Sequence, residues 1–224
     1  DDAGPAARSG GEFDRPDRGR PHHRVVLAFF PAVDATKVKI WRKSERERLI
    51  ALRMGIPPSV RRDAGEHIAQ ALQTIIAERQ GILGIYWPFR AEFDPRPLVD
   101  RLAAAGREVA LPVVVDKKGP LEYRAWAPGE PLTAGVWDIP IPEKREVVIP
   151  SLVLAPLVGF DRACYRLGYG GGYFDRTLGS LEPRPLAIGV GYAMQAIDTI
   201  YPQSFDIPMD LIVTEGGIRR RDTG

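Results

Sequence analysis

Four glycines fall within five residues at Gly168, Gly170, Gly171 and Gly172, with Arg166 two residues before them and Asp175 three residues after. Backbone N–H groups in such a stretch approach an anion closely, because no Cβ stands in the way. The following residues read as a short helix over 173–181, and a helix N-terminus adds a partial positive charge. Arg166 supplies a fixed charge at the mouth of the loop. Asp175, in the first helical turn, suits a divalent cation shared between a carboxylate and phosphate oxygens. The chemistry these types and spacings suit is phosphate binding, that of a nucleotide carrying magnesium. The stretch is not a Walker A loop, since no Gly-Lys-Ser/Thr follows. A dinucleotide fold fits poorly, because Val190-Gly191 stands where an acidic ribose partner belongs. A glycine-rich turn that needs only positive φ is the plain alternative, and the flanking Arg and Asp weigh against it.

Composition narrows the chemistry further. Among 224 residues, Lys and Arg total 31 and Asp and Glu 29, a formal net charge of +2. That balance does not suit a dedicated nucleic-acid binder. The single cysteine, Cys164, forms neither an internal disulfide nor a CxxC zinc site. Of three histidines, His22 and His23 lie in an N-terminal stretch rich in glycine, proline and charge, which leaves only His67 for the body. A histidine metal cluster and a Ser-His-Asp triad are thereby all but excluded. Carboxylates, arginines, backbone amides and a bound cation must carry whatever reaction occurs.

The elements that position these residues read as an α/β chain. Residues 1–35 are expected to form an arm, disordered or loosely docked, and residues 36–224 a single domain. The apolar run 25–30 is too short for a membrane span. Helical spacing of Val38, Trp41, Leu49 and Leu52 predicts a helix over 36–54, with Arg42, Arg46 and Arg53 as a rail along the edge of its apolar stripe. Ser59 is the expected N-cap of a second helix buried through Val60, Ala64, Ile68, Leu72 and Ile75. A third helix is expected over 97–105. Strands are expected over 82–87, 108–115, 152–155, 186–190 and 211–214, with 121–126 as an edge or hairpin strand. Alternating strands and helices imply an open, mostly parallel sheet with helices on both faces.

The run Arg166-Leu167-Gly168-Tyr169-Gly170-Gly171-Gly172-Tyr173-Phe174-Asp175, preceded by Gly159-Phe160-Asp161, resembles the signature of the 5-formyltetrahydrofolate cyclo-ligase (methenyltetrahydrofolate synthetase) family. The likeness extends over about 36–218. It takes in the basic first helix, Tyr86-Trp87-Pro88 leading to Glu92 and Asp94, and Gly135-Val136-Trp137-Asp138-Ile139-Pro140. It also takes in Asp206-Ile207-Pro208-Met209-Asp210 before Thr214-Glu215.

The resemblance implies ATP- and Mg²⁺-dependent conversion of 5-formyltetrahydrofolate, with or without a polyglutamate tail, to 5,10-methenyltetrahydrofolate. In that scheme the formyl oxygen attacks the γ-phosphate and N10 then closes the ring. It implies Arg42, Lys43, Arg46, Arg166, Gly168, Gly170, Gly171, Gly172 and Tyr173 at the ATP, with Arg166 and Tyr173 as catalytic residues. Glu92 and Trp137 would bind the folate, and Asp175 would stand at the metal. A cytoplasmic monomer or dimer, with no nucleic-acid or membrane partner, goes with it. By themselves Glu92 reads as an exposed loop carboxylate and Trp137 as a core aromatic. The chain departs from the family pattern at Arg42, where Lys is usual, and at Phe174, where Tyr is common. It also departs at Tyr169 and Gly171, where some members carry a basic residue. Two rival readings are a non-catalytic nucleotide- or folate-binding paralogue with a regulatory or RNA-binding role, and a sugar-phosphate isomerase or CoA-transferase-like enzyme. The latter lacks a catalytic carboxylate or lysine that the sequence can supply.

Overall fold

A computed structural model describes residues 34–222. The expected arm through residue 33, with His22, His23 and the run 25–30, lies outside the described residues. The chain orders as α1 (Ala35–Met54), α2 (Pro58–Ala77), β1 (Leu83–Gly84), α3 (Arg96–Ala104), β2 (Val109–Val114), β3 (Leu121–Trp126), β4 (Leu132–Ala134) and β5 (Pro140–Pro142). It continues as β6 (Leu152–Pro156), β7 (Gly159–Phe160), β8 (Arg166–Leu167), α4 (Tyr173–Ser180), β9 (Leu186–Val190), β10 (Leu211–Thr214) and β11 (Gly217–Arg220).

Seven strands form the central sheet in the order β11-β10-β9-β6-β1-β2-β3. The five inner strands pair in parallel. Each edge strand, β3 and β11, is antiparallel to its neighbour. Two small hairpins, β4-β5 and β7-β8, stand apart from the sheet. They are too short for their alternation to show in the sequence.

Period-two alternation divides each inner strand between two cores. Val109, Leu111, Leu152, Leu154, Ile188, Val190, Leu211 and Val213 point to one face. There Ile68, Leu72, Ile75 and Ile76 of α2 and Leu98 and Val99 of α3 cover them. Ala110, Val153, Ala155, Ala187 and Ile212 point to the other face, against Leu178 of α4. These inner strands are buried on both sides, which is why they read as nearly continuous apolar runs.

Helix α1 packs through Leu49 on Val158, Leu167 and Ile200. Its buried stripe is Val38, Arg42, Leu49 and Arg53. Arg42 and Arg53 therefore lie within the stripe and not along its edge, while Leu52 is exposed. Two further expectations fail at α2. Pro57 takes the cap position and Pro58 the first turn, so Ser59 lies inside the helix. Proline has no N–H to satisfy there, which makes it a good helix starter. Val60 is 51 % accessible and lies outside the buried face.

The topology fixes where a ligand can sit. From β1 the chain crosses through α3 to β2 on one side, and from β6 it proceeds through α4 to β9 on the other. The loops leaving β1 and β6 diverge at this switch point, and such a crevice at the carboxyl ends of parallel strands is the usual ligand site of open α/β sheets.

Candidate functional site

The glycine loop leaves β6 by way of the β7-β8 hairpin and enters α4. Gly170 and Gly172 adopt φ of 100° and 67°, in the left-handed region. A Cβ on Gly168 would come within 2.6 Å of Arg166 Nη1, and one on Gly172 within 2.9 Å of Arg176 Nη1. The loop thus needs glycine for its left-handed turns, and the missing Cβ atoms let the guanidinium ends come close. Among the described residues, the N–H groups of Gly170, Gly171 and Gly172 meet no backbone acceptor. With the uncapped N-terminus of α4 behind them, they form a row of donors suited to phosphate oxygens.

Three arginines surround this loop. Arg46 of α1 donates Nε–H to the Gly168 carbonyl at 2.7 Å and lies over Gly170. Its two terminal nitrogens have no partner among the described residues, and burial lowers its pKa. Arg166 is buried, pairs with Asp175 through Nη2 at 3.0 Å, and stacks over the Phe174 ring. Its Nε is buried with no acceptor, an uncommon state that a bound anion would relieve. Arg176 ties the Gly171 carbonyl to the Gly119 carbonyl of the β2–β3 turn and stacks on Tyr173.

Arg42 is placed differently from the expectation. Its guanidinium donates to the Ile200 and Tyr201 carbonyls and forms a two-point pair with Asp206. A buried arginine must find acceptors, and these four bonds leave a single N–H. Lys43 is exposed, with no partner among the described residues.

The second loop, after β1, carries Glu92. The expectation of an exposed carboxylate fails: Glu92 is only 8 % accessible. Oε2 accepts the Phe89 N–H at 2.9 Å, and Oε1 accepts the Tyr169 O–H at 3.0 Å. Burial, only partly offset by Arg53 and these hydrogen bonds, raises its pKa to about 7. Beneath it lies Arg53, 1 % accessible. Arg53 donates to the Arg90 carbonyl, the Leu157 carbonyl and the Tyr169 hydroxyl, at 2.9, 3.1 and 2.6 Å. One arginine therefore holds the loop after β1, the loop after β6 and the glycine loop together. Glu92 also lines a cleft of about 600 Å³ between α2 and α3, which no glycine-loop residue reaches.

Trp137 is 64 % accessible and not a core residue. It and Asp138 both take positive φ, 58° each. Its ring meets Tyr173 edge-on at 5.9 Å. A strained backbone that presents a bare indole beside the glycine loop is a feature to be expected of a binding surface.

The structure thus brings together Arg46, Arg166, the four glycines, Tyr173, Asp175 and Trp137, and links them to Glu92 through Tyr169. Sequence reasoning missed Arg53, Tyr169 and Arg176 as site-builders. Arg53 had a signal: it falls four residues after Leu49 and eleven after Arg42, on one helical face. Tyr169 had none.

Asp175 accepts from Arg166 and from the Ile207 N–H at 3.2 Å. Among the described residues no three His, Cys, Asp or Glu gather into a cation site. A single carboxylate with free lone pairs fits a magnesium ion held mainly by nucleotide oxygens and water, and does not fit an all-protein cage. Among the described residues no helix is long and apolar enough to cross a membrane.

The family model for the 5-formyltetrahydrofolate cyclo-ligase family matches residues 38–215. The chain is 25 % identical over 181 residues to a 5-formyltetrahydrofolate cyclo-ligase of Haemophilus influenzae, covering 77 % of this chain and 97 % of that one. It is 28 % identical over 173 residues to the enzyme of that name from Escherichia coli, covering 72 % and 93 %. The solved structure of Aquifex aeolicus 5,10-methenyltetrahydrofolate synthetase superposes with a TM-score of 0.72 at 28 % identity, over 82 % of this chain and 94 % of that one.

Proposed function

The chain belongs to the 5-formyltetrahydrofolate cyclo-ligase family, and from that membership we propose that it closes 5-formyltetrahydrofolate to 5,10-methenyltetrahydrofolate at the expense of ATP. The observation that carries the reading is the meeting of the two loops at the switch point. The hydrogen bond from Tyr169 to Glu92 joins the glycine loop to a buried carboxylate, which supports a nucleotide on the one and a pterin on the other.

Each residue then has a task. The N–H groups of Gly170 to Gly172 and the first turn of α4 hold the phosphates. Arg46 and Arg166 neutralise the charge that spreads over the transferred group, and their guanidinium planes suit phosphate oxygens. Glu92 accepts the N3–H and amino group of the pterin, which orients the formyl group. Trp137 and Tyr173 pack against the folate where it meets the nucleotide. Arg42 anchors α1 and contacts neither ligand. Magnesium, held at Asp175, would neutralise the phosphate oxygens when bound.

The formyl oxygen bonds to the γ-phosphorus as the bridging P–O bond breaks and ADP departs. N10 then attacks the activated carbon, its proton leaves, and the C–O bond breaks to release phosphate. No protein nucleophile is required. Alignment and charge neutralisation supply the catalysis, consistent with a chain that has one buried cysteine and an exposed His67. The substrate with a polyglutamate tail, and a cytoplasmic location, belong to the same proposal.

The test mixes protein, ATP, Mg²⁺ and 5-formyltetrahydrofolate and follows the absorbance of the methenyl product. Product formed only with ATP present is the expected result. None at high protein concentration would sink the proposal.

A further inference from the structure

We propose that Tyr169 is a positioning residue for this reaction: its hydroxyl relays between Arg53 and Glu92, fastening the phosphate loop to the folate carboxylate while keeping the guanidinium off it. This rests on the assignment of Glu92 to the pterin.

The direction of the relay follows from donor counting. Arg53 can only donate, so the Tyr169 oxygen accepts its Nη2–H at 2.6 Å and gives its own proton to Glu92 Oε1 at 3.0 Å. Arg53 Nη2 and Glu92 Oε1 stand 3.9 Å apart across that bridge. The guanidinium is pinned at its other two nitrogens by the Arg90 and Leu157 carbonyls, so it cannot slide forward to close the gap. In direct two-point contact, Arg53 would cover the lone pairs that the pterin edge needs. With Tyr169 between them, the carboxylate is oriented at both oxygens and still has acceptor capacity left.

The same bond joins the two loops. Tyr169 follows Gly168, whose carbonyl takes the Arg46 Nε–H, so a shift of the folate carboxylate is felt at the nucleotide arginine. Acting on Glu92 are Arg53 from α1, Tyr169 from the glycine loop, Tyr86 after β1 and Tyr192 after β9, and the cleft it lines is also lined by Arg61, Arg62 and Glu66 of α2, Arg90 of its own loop, and Arg96 and Arg101 of α3. Asp94 lies further along its own loop and is paired with Arg96. Burial pushes the Tyr86, Tyr169 and Tyr192 hydroxyls up in pKa, so they remain neutral. Arg53 is the cation held against the Glu92 carboxyl, 3.9 Å from Oε1.

Tyr169→Phe removes the hydroxyl and keeps the ring in place. Glu92 loses a hydrogen bond to its charged form while Arg53 remains pinned, so its ionisation shifts upward by about one pH unit, near tenfold. The experiment titrates the Glu92 side-chain carboxyl by ¹³C NMR in the full chain, wild type against Y169F, with E92Q identifying the resonance. It is joined to pH profiles of kcat/KM for 5-formyltetrahydrofolate. Expected are a common upward shift of the titration and of the acid limb in Y169F, and no such limb in E92Q. A titration that stays put or moves down overturns the proposal, as does a limb that ignores the titration or survives in E92Q. A lowered melting temperature with an unmoved titration reduces Tyr169 to a structural fastening and likewise overturns it. The NMR arm needs no turnover, so it reads the relay even if the absorbance assay refutes the cyclisation.

Discussion

Glu92 is an acid in a place that water scarcely reaches, and its charge state sets what it can do. With a pKa raised to about 7, it is ionised above neutrality and protonated below. The ionised form is the better acceptor for two pterin donors, so kcat/KM for folate should fall as pH drops below about 7. Stability runs the opposite way. A carboxyl whose folded pKa exceeds the ordinary 4.5 binds its proton more tightly when folded, so its contribution is fully present below 4.5 and lost as pH rises through about 7. Glu92→Gln should therefore gain stability relative to wild type between about pH 4.5 and pH 8, measured by thermal melts at a series of pH values. Flat or inverted differences would contradict the burial argument. Arg46 is the complementary case on the nucleotide side, with two terminal nitrogens unengaged over Gly170. Arg46→Ala should raise KM for ATP roughly ten- to a hundredfold, the worth of charged hydrogen bonds, and leave KM for folate nearly unchanged. Equal rises in both would place Arg46 outside the phosphate site.

At the scale of the element, α1 is the unusual one. Its buried stripe mixes apolar and cationic residues, Val38, Arg42, Leu49 and Arg53, and each arginine is buried with its acceptors supplied by loops distant in sequence. Arg42 binds the segment 200–206, and Arg53 binds the loops after β1 and β6. The helix thus acts as a rod on which three loops are hung. Breaking a buried pair by removing one partner costs about 3–5 kcal/mol, because the other charge stays behind. Arg42→Ala takes the guanidinium from the Ile200 carbonyl, from the Tyr201 carbonyl and from Asp206, the last two keeping only Gln203 as donor. Chemical denaturation should show a loss of about 3 kcal/mol, with KM for ATP close to wild type in protein that remains folded. A large rise in KM for ATP without loss of stability would return Arg42 to the nucleotide. The glycine loop is built the other way. It contributes little packing, and its shape depends on positive φ at Gly170 and Gly172 and on guanidinium groups filling the space where Cβ atoms would stand.

At the scale of the whole molecule, the site exists because β1 and β6 are neighbours whose chains leave in opposite directions. The loop after β1 lines a cleft without the glycine loop, and ligands bound on both loops would tie them together, so ligand binding should stabilise the whole domain. At a free concentration about a hundred times Kd, a ligand that binds only the folded state adds about 2.7 kcal/mol. For a chain of this size that is a rise in melting temperature of roughly 5–10 °C. A nonhydrolysable ATP analogue and 5-formyltetrahydrofolate should each give such a rise in differential scanning fluorimetry. Failure of both at saturating concentrations would argue against a preformed site.

The strands and helices of the sheet layer, and the glycine loop before α4, are legible in the residues alone. Period two in the strands, period 3.6 in the helices, and a glycine cluster before a helix are local consequences of backbone geometry. The excluded chemistry is legible too, because one cysteine and few histidines leave little else to act. Which arginines are free is a matter that folding settles. Arg42 and Arg46 lie one helical turn apart and are alike in sequence, yet one meets Asp206 and the other faces the glycine loop. Folding likewise buried Glu92, exposed Trp137, and set Tyr169 between Arg53 and Glu92. The physical reason is that a charge's role depends on the acceptors and the water around it, and residues more than a hundred positions away supply both.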